Sequence, residues 1–320
     1  MNDSPEFIAA LASANIGLHP WVKQHVSEQE RLGALRDELS WAVDVATKDM
    51  DFATGFAANS IDRGAAPTEY LNRWFDVDGG LRVLVGPRYR GLDPDQPFVS
   101  IDASTRPILP TDVSALKLLV KKEFAVFDPR EVVLWSSAPV GYWPGGGVGL
   151  RLVAGEVNQL RACRTTPTLT ATPATGVDSY DRYVDAYTRI TRTNPAQAEL
   201  SRLETREDLE KLAVDGTLLD LYFGGEWVGI AAYEPANRNG MRGFTVVVAL
   251  LLPEYQSRGL GKDVSTLIAL NIEGGGFLHG TIHAANIGAY RAALSAGRVD
   301  VGGEVVFALV PSADMHHLRT

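Results

Sequence analysis

Residues 256–262, Gln256-Ser257-Arg258-Gly259-Leu260-Gly261-Lys262, carry the strongest chemical signal in this chain. Glycines let a backbone turn tightly and approach a ligand closely. Before them stand seven apolar residues, Val246–Leu252, too few for a buried helix and suited to a strand covered on both faces. Pro253 stops that run, and Val264, Leu267, Ile268 and Ile272 follow at helical spacing. A strand, a glycine turn and a helix bring free N–H groups and the positive helix end to one point, which suits an anion. Arg258 and Lys262 add two cations. The spacing is neither GxGxxG nor the GK[ST] of a P-loop, and glycines at such a turn also serve packing alone.

Groups able to move a proton lie close by in sequence. Alternation along Phe277–His283 puts His279, Thr281 and His283 on one face, with Leu278 and Ile282 on the other. The pKa range of histidine suits a base. The competing role for His283 is a hydrogen-bonded strand histidine facing solvent. Glu254 and Tyr255, just past the apolar run, are alternatives as base. His316, His317 and Asp314 suggest a metal at first sight, but a frayed C-terminal tail is the better expectation and no metal site is assigned.

Positioning these residues requires a layered α/β framework. Leu218–Phe223, Gly224-Gly225 and Trp227–Tyr233 read as a hairpin, with a polar linker at Pro235–Gly240. Helices are expected over 178–191, 206–214, 261–273 and 287–296, and strands over 168–172, 243–252, 277–283 and 305–310. Residues 1–75 read as helical, including Glu28–Val45, Asp49–Asn59 and Thr68–Phe75, with Trp21, Trp41 and Trp74 in the core. Strands then follow at 81–86 and 98–101, a helix at 112–127 and a strand at 132–136. The turn before that helix, Ser100–Asp112, has no glycine and two prolines, so it offers no phosphate cradle. Tyr142–Gly149 reads as a surface loop and Leu150–Val157 as a strand.

The 320 residues suit two domains, here 1–160 and 161–320. A net charge of -9 argues against non-specific binding to nucleic acid or anionic membrane. The single cysteine, Cys163, excludes an internal disulfide and a cysteine-based zinc site. No apolar run of about 18 residues suits a membrane span, and no leader is visible, so a cytoplasmic location is expected.

The string Gln256-x-x-Gly259-x-Gly261 after an apolar strand closely resembles the acyl-CoA pyrophosphate loop of the GCN5-related N-acetyltransferase (GNAT) superfamily. The element order over roughly residues 165–312 resembles that family too. The resemblance implies an α/β (α+β) fold class: a GNAT fold in the C-terminal half, a mixed sheet flanked by helices, and a degenerate GNAT-like N-terminal domain. The tandem layout is similar to that of mycothiol synthase. It also implies acetyl-CoA or another acyl-CoA, held at the gap where two strands splay. The amides of Leu250 and Leu252 would pair with pantetheine, a donor near Leu250–Leu251 would meet the thioester oxygen, and the amides from Gln256 to Lys262 would hold the pyrophosphate.

A second family signature, Asn-x-x-Ala-x-x-x-Tyr-x-x-x-Gly-Phe, is matched by Asn286, Ala289 and Gly297. Its tyrosine falls at Ala293 and its phenylalanine at Arg298. Tyr290 lies one turn earlier, rotated about 60° around the helix. Arg298 is open to three roles: a cofactor-phosphate contact, an acidic-substrate contact, or a surface salt bridge. The implied activity is direct transfer of an acyl group to the amine of a small molecule, with His283, Tyr290 and Glu254 as candidate catalytic groups. The implied protein is a monomer or homodimer without nucleic-acid or membrane partners. A non-catalytic acyl-CoA sensor, or a transferase using a tRNA- or carrier-bound donor, are the alternatives.

Overall fold

A computed structural model of the chain describes residues 4–58, 64–193 and 203–309. The expected tail around Asp314, His316 and His317 lies outside them, as do Asn59 and Val310. The chain forms two compact units, Met1–Gly149 with Gly302–Thr320, and Leu150–Val301. The division is therefore crossed twice, rather than once near residue 160.

The first unit begins with helices α1 (Pro5–Gly17), α2 (Pro20–His25), α3 (Glu28–Ser40), α4 (Ala46–Lys48) and α5 (Met50–Ala58). Ser27 and Glu30 cap α3 reciprocally, which satisfies N–H groups the helix cannot. Trp41, expected in the core, is about half exposed and stands edge-on to Phe52 at 5.6 Å. The piece expected as helix at Thr68–Phe75 is a tight turn, Pro67–Tyr70, followed by strand β1 (Arg73–Val77). Trp74, Phe75 and Val77 favour a strand, and β1 finds an antiparallel neighbour in β2 (Leu81–Tyr89).

Strand β3 (Pro97–Ser104) pairs antiparallel with β2 and parallel with β4 (Glu131–Ser136), and α6 (Val113–Glu123) makes the crossover. Strand β5 (Gly147–Glu156) starts in this unit. Trp143 just before it is buried, and its indole N–H donates to Ser136 Oγ at 3.0 Å, so the expected surface loop holds a core residue. The last strand, β11 (Val299–Ala308), gives Gly303–Ala308 to an antiparallel ladder with β4. Val305, Phe307 and Leu309 enter the same apolar core as Tyr70, Leu116, Phe124 and Trp143.

The second unit continues from β5 through α7 (Val157–Arg161), β6 (Leu169–Pro173), α8 (Tyr180–Thr193), α9 (Arg206–Val214), β7 (Leu218–Phe223), β8 (Glu226–Arg238), β9 (Met241–Leu251), α10 (Gly261–Asn271), β10 (Phe277–His283) and α11 (Ile287–Ser295). Its strands lie in the order β5-β10-β9-β8-β7-β6. Only the β9–β10 pair is parallel; the others run antiparallel. The residues expected as a polar linker, Pro235–Arg238, extend β8, and Asn239-Gly240 turns it into β9. Both turn residues have positive φ, 48° and 74°, as a tight hairpin of Asn-Gly type demands.

Strand alternation sorts the core of this unit onto two faces. Leu219, Leu221, Val228 and Leu278 pack with Val264, Leu267 and Ile268 of α10. Leu218, Trp227 and Ile230 pack with Tyr183 of α8 and Leu209 of α9. This is a mixed sheet covered by helices on both sides, as expected from the fold class. Among the described residues no helix is long and apolar enough to cross a membrane.

Candidate active site

The site starts where two strands part. β9 and β10 pair at only three positions, Gly243↔Phe277, Phe244↔Leu278 and Thr245↔His279. Beyond them each strand keeps its other neighbour, β9 with β8 to Leu251 and β10 with β5 to His283. Parting begins at Val246 and Gly280. A register shift between Ala232 and Tyr233 leaves Val247 as the extra residue of a bulge on β9 at the same level. A bulge bends its strand and re-aims its groups. The run Val246–Leu252, expected to be covered on both faces, is buried only at Leu251. It loses its cover because its parallel neighbour leaves.

Main-chain direction along this open edge is fixed by one bond. The Leu252 N–H donates to Val228 O at 2.8 Å, toward β8. Alternation sends the Leu250 N–H the same way and those of Ala249 and Leu251 toward the opening. The Leu251 carbonyl confirms this, since it accepts from Gln256 Nε2 at 2.9 Å. Leu250 and Leu252 are therefore not the donors facing the gap, as expected from sequence; Ala249 and Leu251 are. Gln256 spends its side chain on tying the loop to the strand end.

The loop beyond Leu252 is built for exposed main-chain donors. A 3₁₀ turn, Pro253–Tyr255, leads to Ser257 at φ 59° and Gly259 at φ 78°. Glycine takes that conformation freely, whereas for serine it costs on the order of 1 kcal/mol. Ser257, Arg258, Gly259 and Lys262 are exposed, and nothing stands within 4 Å of the place where a Cβ on Gly259 would be. Helix α10 begins at Gly261 without a side-chain cap, unlike α3, α9 and α11. The carboxylate in its first turn, Asp263, is buried and turned to the Thr166 N–H at 3.0 Å. The N–H groups of Gly259, Leu260 and Gly261 accordingly meet no acceptor among the described residues. Arg258 lies over the Tyr255 ring at 5.0 Å, which keeps its charge beside the loop. Gly261 has a packing role as well: a Cβ there would come within 3.1 Å of Ala292 Cβ on α11.

The side chains expected to move protons are all occupied. Glu254 is ion-paired with Arg189 of α8, whose hydrogen bond holds the carboxyl below its ordinary range, so it is a weak base. Tyr290 donates its O–H to Asp300 Oδ2 at 2.6 Å, and Arg151 grips the same carboxylate at 3.0 and 2.7 Å. Burial, with Asp300 beside it, pushes the phenol up to about 12. His283 ends β10, and its Nδ1 accepts the Ala285 N–H at 3.2 Å. A neutral imidazole has one ring-nitrogen acceptor, so this bond places its proton on Nε2. Asn286 caps α11 by accepting the Ala289 N–H at 3.2 Å.

Two neighbours of this group differ from expectation. His279, expected on the same strand face as His283, is 1% exposed and bonds Ala236 O through Nε2 at 3.2 Å; burial lowers its pKa to about 4. Arg298, for which a surface salt bridge was one expectation, is 6% exposed. Sequence inspection missed Arg151, Asp300 and Arg189 altogether. Arg151 and Asp300 stand 149 residues apart, and nothing in their local sequence pairs them.

The corresponding turn of the first unit is closed. Between β3 and α6, Arg106 holds Asp112 through two contacts of 2.9 Å, and Asp112 also accepts the Leu109 N–H at 2.7 Å. The Arg106 hydrogen bond holds the Asp112 carboxyl below its usual range. The helix start thus carries its own anion. Among the described residues there is no cluster of His, Cys, Asp and Glu able to hold a metal ion.

Strand, glycine loop and uncapped helix beside two parting strands define an α/β protein with exposed main-chain donors gathered at one point. No protein-family model matches the sequence, and a search of curated proteins finds no match. The solved structures it resembles include GNAT acetyltransferases. A GCN5-related N-acetyltransferase from Kribbella flavida is 16% identical over 82% of this chain and 95% of that one, with a TM-score of 0.44. A GNAT-family acetyltransferase from Colwellia psychrerythraea is 13% identical, covering 81% and 94%, with a TM-score of 0.47. A GCN5-related N-acetyltransferase from Sphaerobacter thermophilus is 14% identical, covering 83% and 93%, also at 0.47.

Proposed function

We propose that the second unit binds acetyl-CoA or another acyl-CoA and transfers the acyl group to the amine of a small molecule. The observation that carries this reading is the uncapped start of α10, with its unpartnered N–H groups and open Gly259, at the end of an unpaired strand edge. The amides of Gly259–Lys262 would hold the diphosphate, with Arg258 and Lys262 supplying charge. Ala249 and Leu251 would offer N–H groups to an extended pantetheine arm, as to an added strand. One such donor near Leu251 would also face a developing oxyanion. Holding amine and thioester together can supply several kcal/mol of the barrier with no side-chain chemistry. Glu254, His283 and Tyr290 are each engaged, so the ammonium proton would leave through water.

Calorimetric titration of CoA tests the reading. CoA should bind, pantetheine alone should bind far more weakly, and Arg258→Glu with Lys262→Glu should weaken CoA at least about tenfold, or about 1.4 kcal/mol. Equal affinity of the double variant and the natural protein for CoA sinks the assignment of the loop.

A second reading has its own support. Ala293 stands at the family's tyrosine position, and the three candidate side chains all have other partners. A non-catalytic acyl-CoA sensor would bind CoA tightly and release none from acetyl-CoA with any amine of a broad panel. Release with even one amine favours the transferase.

A further inference from the structure

Arg298 is a buried cation without a buried anion. Its side chain is 6% exposed, and Nη2 donates to Val153 O at 2.9 Å. Nε is buried and meets no acceptor, and no carboxylate stands against the guanidinium among the described residues. Burial alone lowers its pKa, to about 10. The titratable group its charge acts on is the buried His279, which is not acidic. A lone buried charge is costly, and an apolar side chain of similar length would fill the space at less expense.

The sheet makes room for this arginine. It runs flat across two glycines on adjacent strands. A Cβ on Gly155 of β5 would sit 3.3 Å from Arg298 Cγ, and one on Gly280 of β10 would sit 3.1 Å from Nη2. Gly280 faces Val246 of β9, whose Cβ is 3.3 Å from the same point. Val246 and Gly280 are the first residues past the β9–β10 ladder. The guanidinium therefore lies at the closed end of the opening.

We propose that Arg298 forms a carboxylate-binding subsite at the apex where β9 and β10 part, at the reacting end of the ligand. This rests on the acyl-CoA reading above. From Val246 to Leu252, just past the end of β9, is about 20 Å at the rise of a strand, so Arg298 is far from the phosphate loop. The planar guanidinium matches a carboxylate in two-point contact, and the space between Gly280 and Val246 is small. The carboxylate belongs either to a dicarboxylic acyl group on CoA or to the acceptor amine.

Two titrations on the full chain separate these sources. If the donor carries it, succinyl-CoA should bind at least about tenfold tighter than acetyl-CoA. If the acceptor carries it, CoA-saturated protein should bind an amino acid from a small panel at least about tenfold tighter than the matching amide. Arg298→Met should erase whichever preference appears, and Arg298→Lys should keep part of it. No preference in either titration, or one that survives Arg298→Met, overturns the proposal. Where Arg298→Met does not fold, the two titrations on the natural protein decide alone. Failure of CoA itself to bind sinks the acyl-CoA reading instead, whereas CoA binding without a carboxylate preference sinks only this subsite.

Discussion

Tyr290 illustrates how a hydrogen bond can remove a residue from contention. Its proton is directed at Asp300, itself fixed by Arg151. Losing a bond to a charged acceptor should make Tyr290→Phe less stable by about 1.5–3 kcal/mol in chemical denaturation. Its turnover should stay within a few-fold of the natural protein; a general acid would cost about 10²–10⁴. His279 gives a pH prediction. Its pKa is lower in the folded protein than in the unfolded chain, so the unfolded chain takes up its proton first as pH falls. Stability present above about 6.5 should erode toward pH 4, by up to about 3 kcal/mol. In His279→Gln that stretch of the stability profile should be flatter, and an unchanged profile would remove the histidine as its cause. Neither role was legible in sequence. Alternation puts His279 on one face with Thr281 and His283, and burial of His279 comes with a contact to β8 that no local pattern encodes.

At the scale of elements, the helix after the loop depends on a close approach. Gly261→Ala should crowd Ala292 and lower the melting temperature, with a cost of about 1–3 kcal/mol, while exposed Gly259 permits no such packing effect. A stability equal to that of the natural protein would show that α10 and α11 can yield there. Many element bounds were readable because their punctuation is local. Gly224-Gly225 and Pro253 fall where strands end, and β7, α9 and β10 have the bounds expected. The Asn239-Gly240 turn carries an equally local signal, within residues expected as linker. The parting of β9 from β10 was not visible in the residues themselves, because Val246–Leu252 is as apolar as a fully covered strand. That feature entered through the family resemblance, and so did the main-chain donors, which were placed one residue out of phase. Donor direction depends on strand pairing, which side-chain identity does not report.

At the scale of the molecule, the two units share a plan of antiparallel strands, a parallel pair and a crossover helix. They differ at the turn before that helix. Asp112, clamped by Arg106, fills in the first unit the position left open in the second. Titration should therefore find one CoA site per chain, and a stoichiometry of two would contradict the closed turn. The absence of glycine from Ser100–Asp112 made half of this legible. The Arg106–Asp112 clamp was not, since charged pairs six residues apart are common and carry no label.

β11 bears on how such a chain can be assembled. Val305, Phe307 and Leu309 lie in the core of the first unit, yet they follow the whole of the second unit in the chain. A growing polypeptide would hold Tyr70, Leu116, Phe124 and Trp143 without their final cover until the second unit had been synthesised. Maturation of the first unit thereby waits on synthesis of the second, against the usual order in which the leading domain folds first.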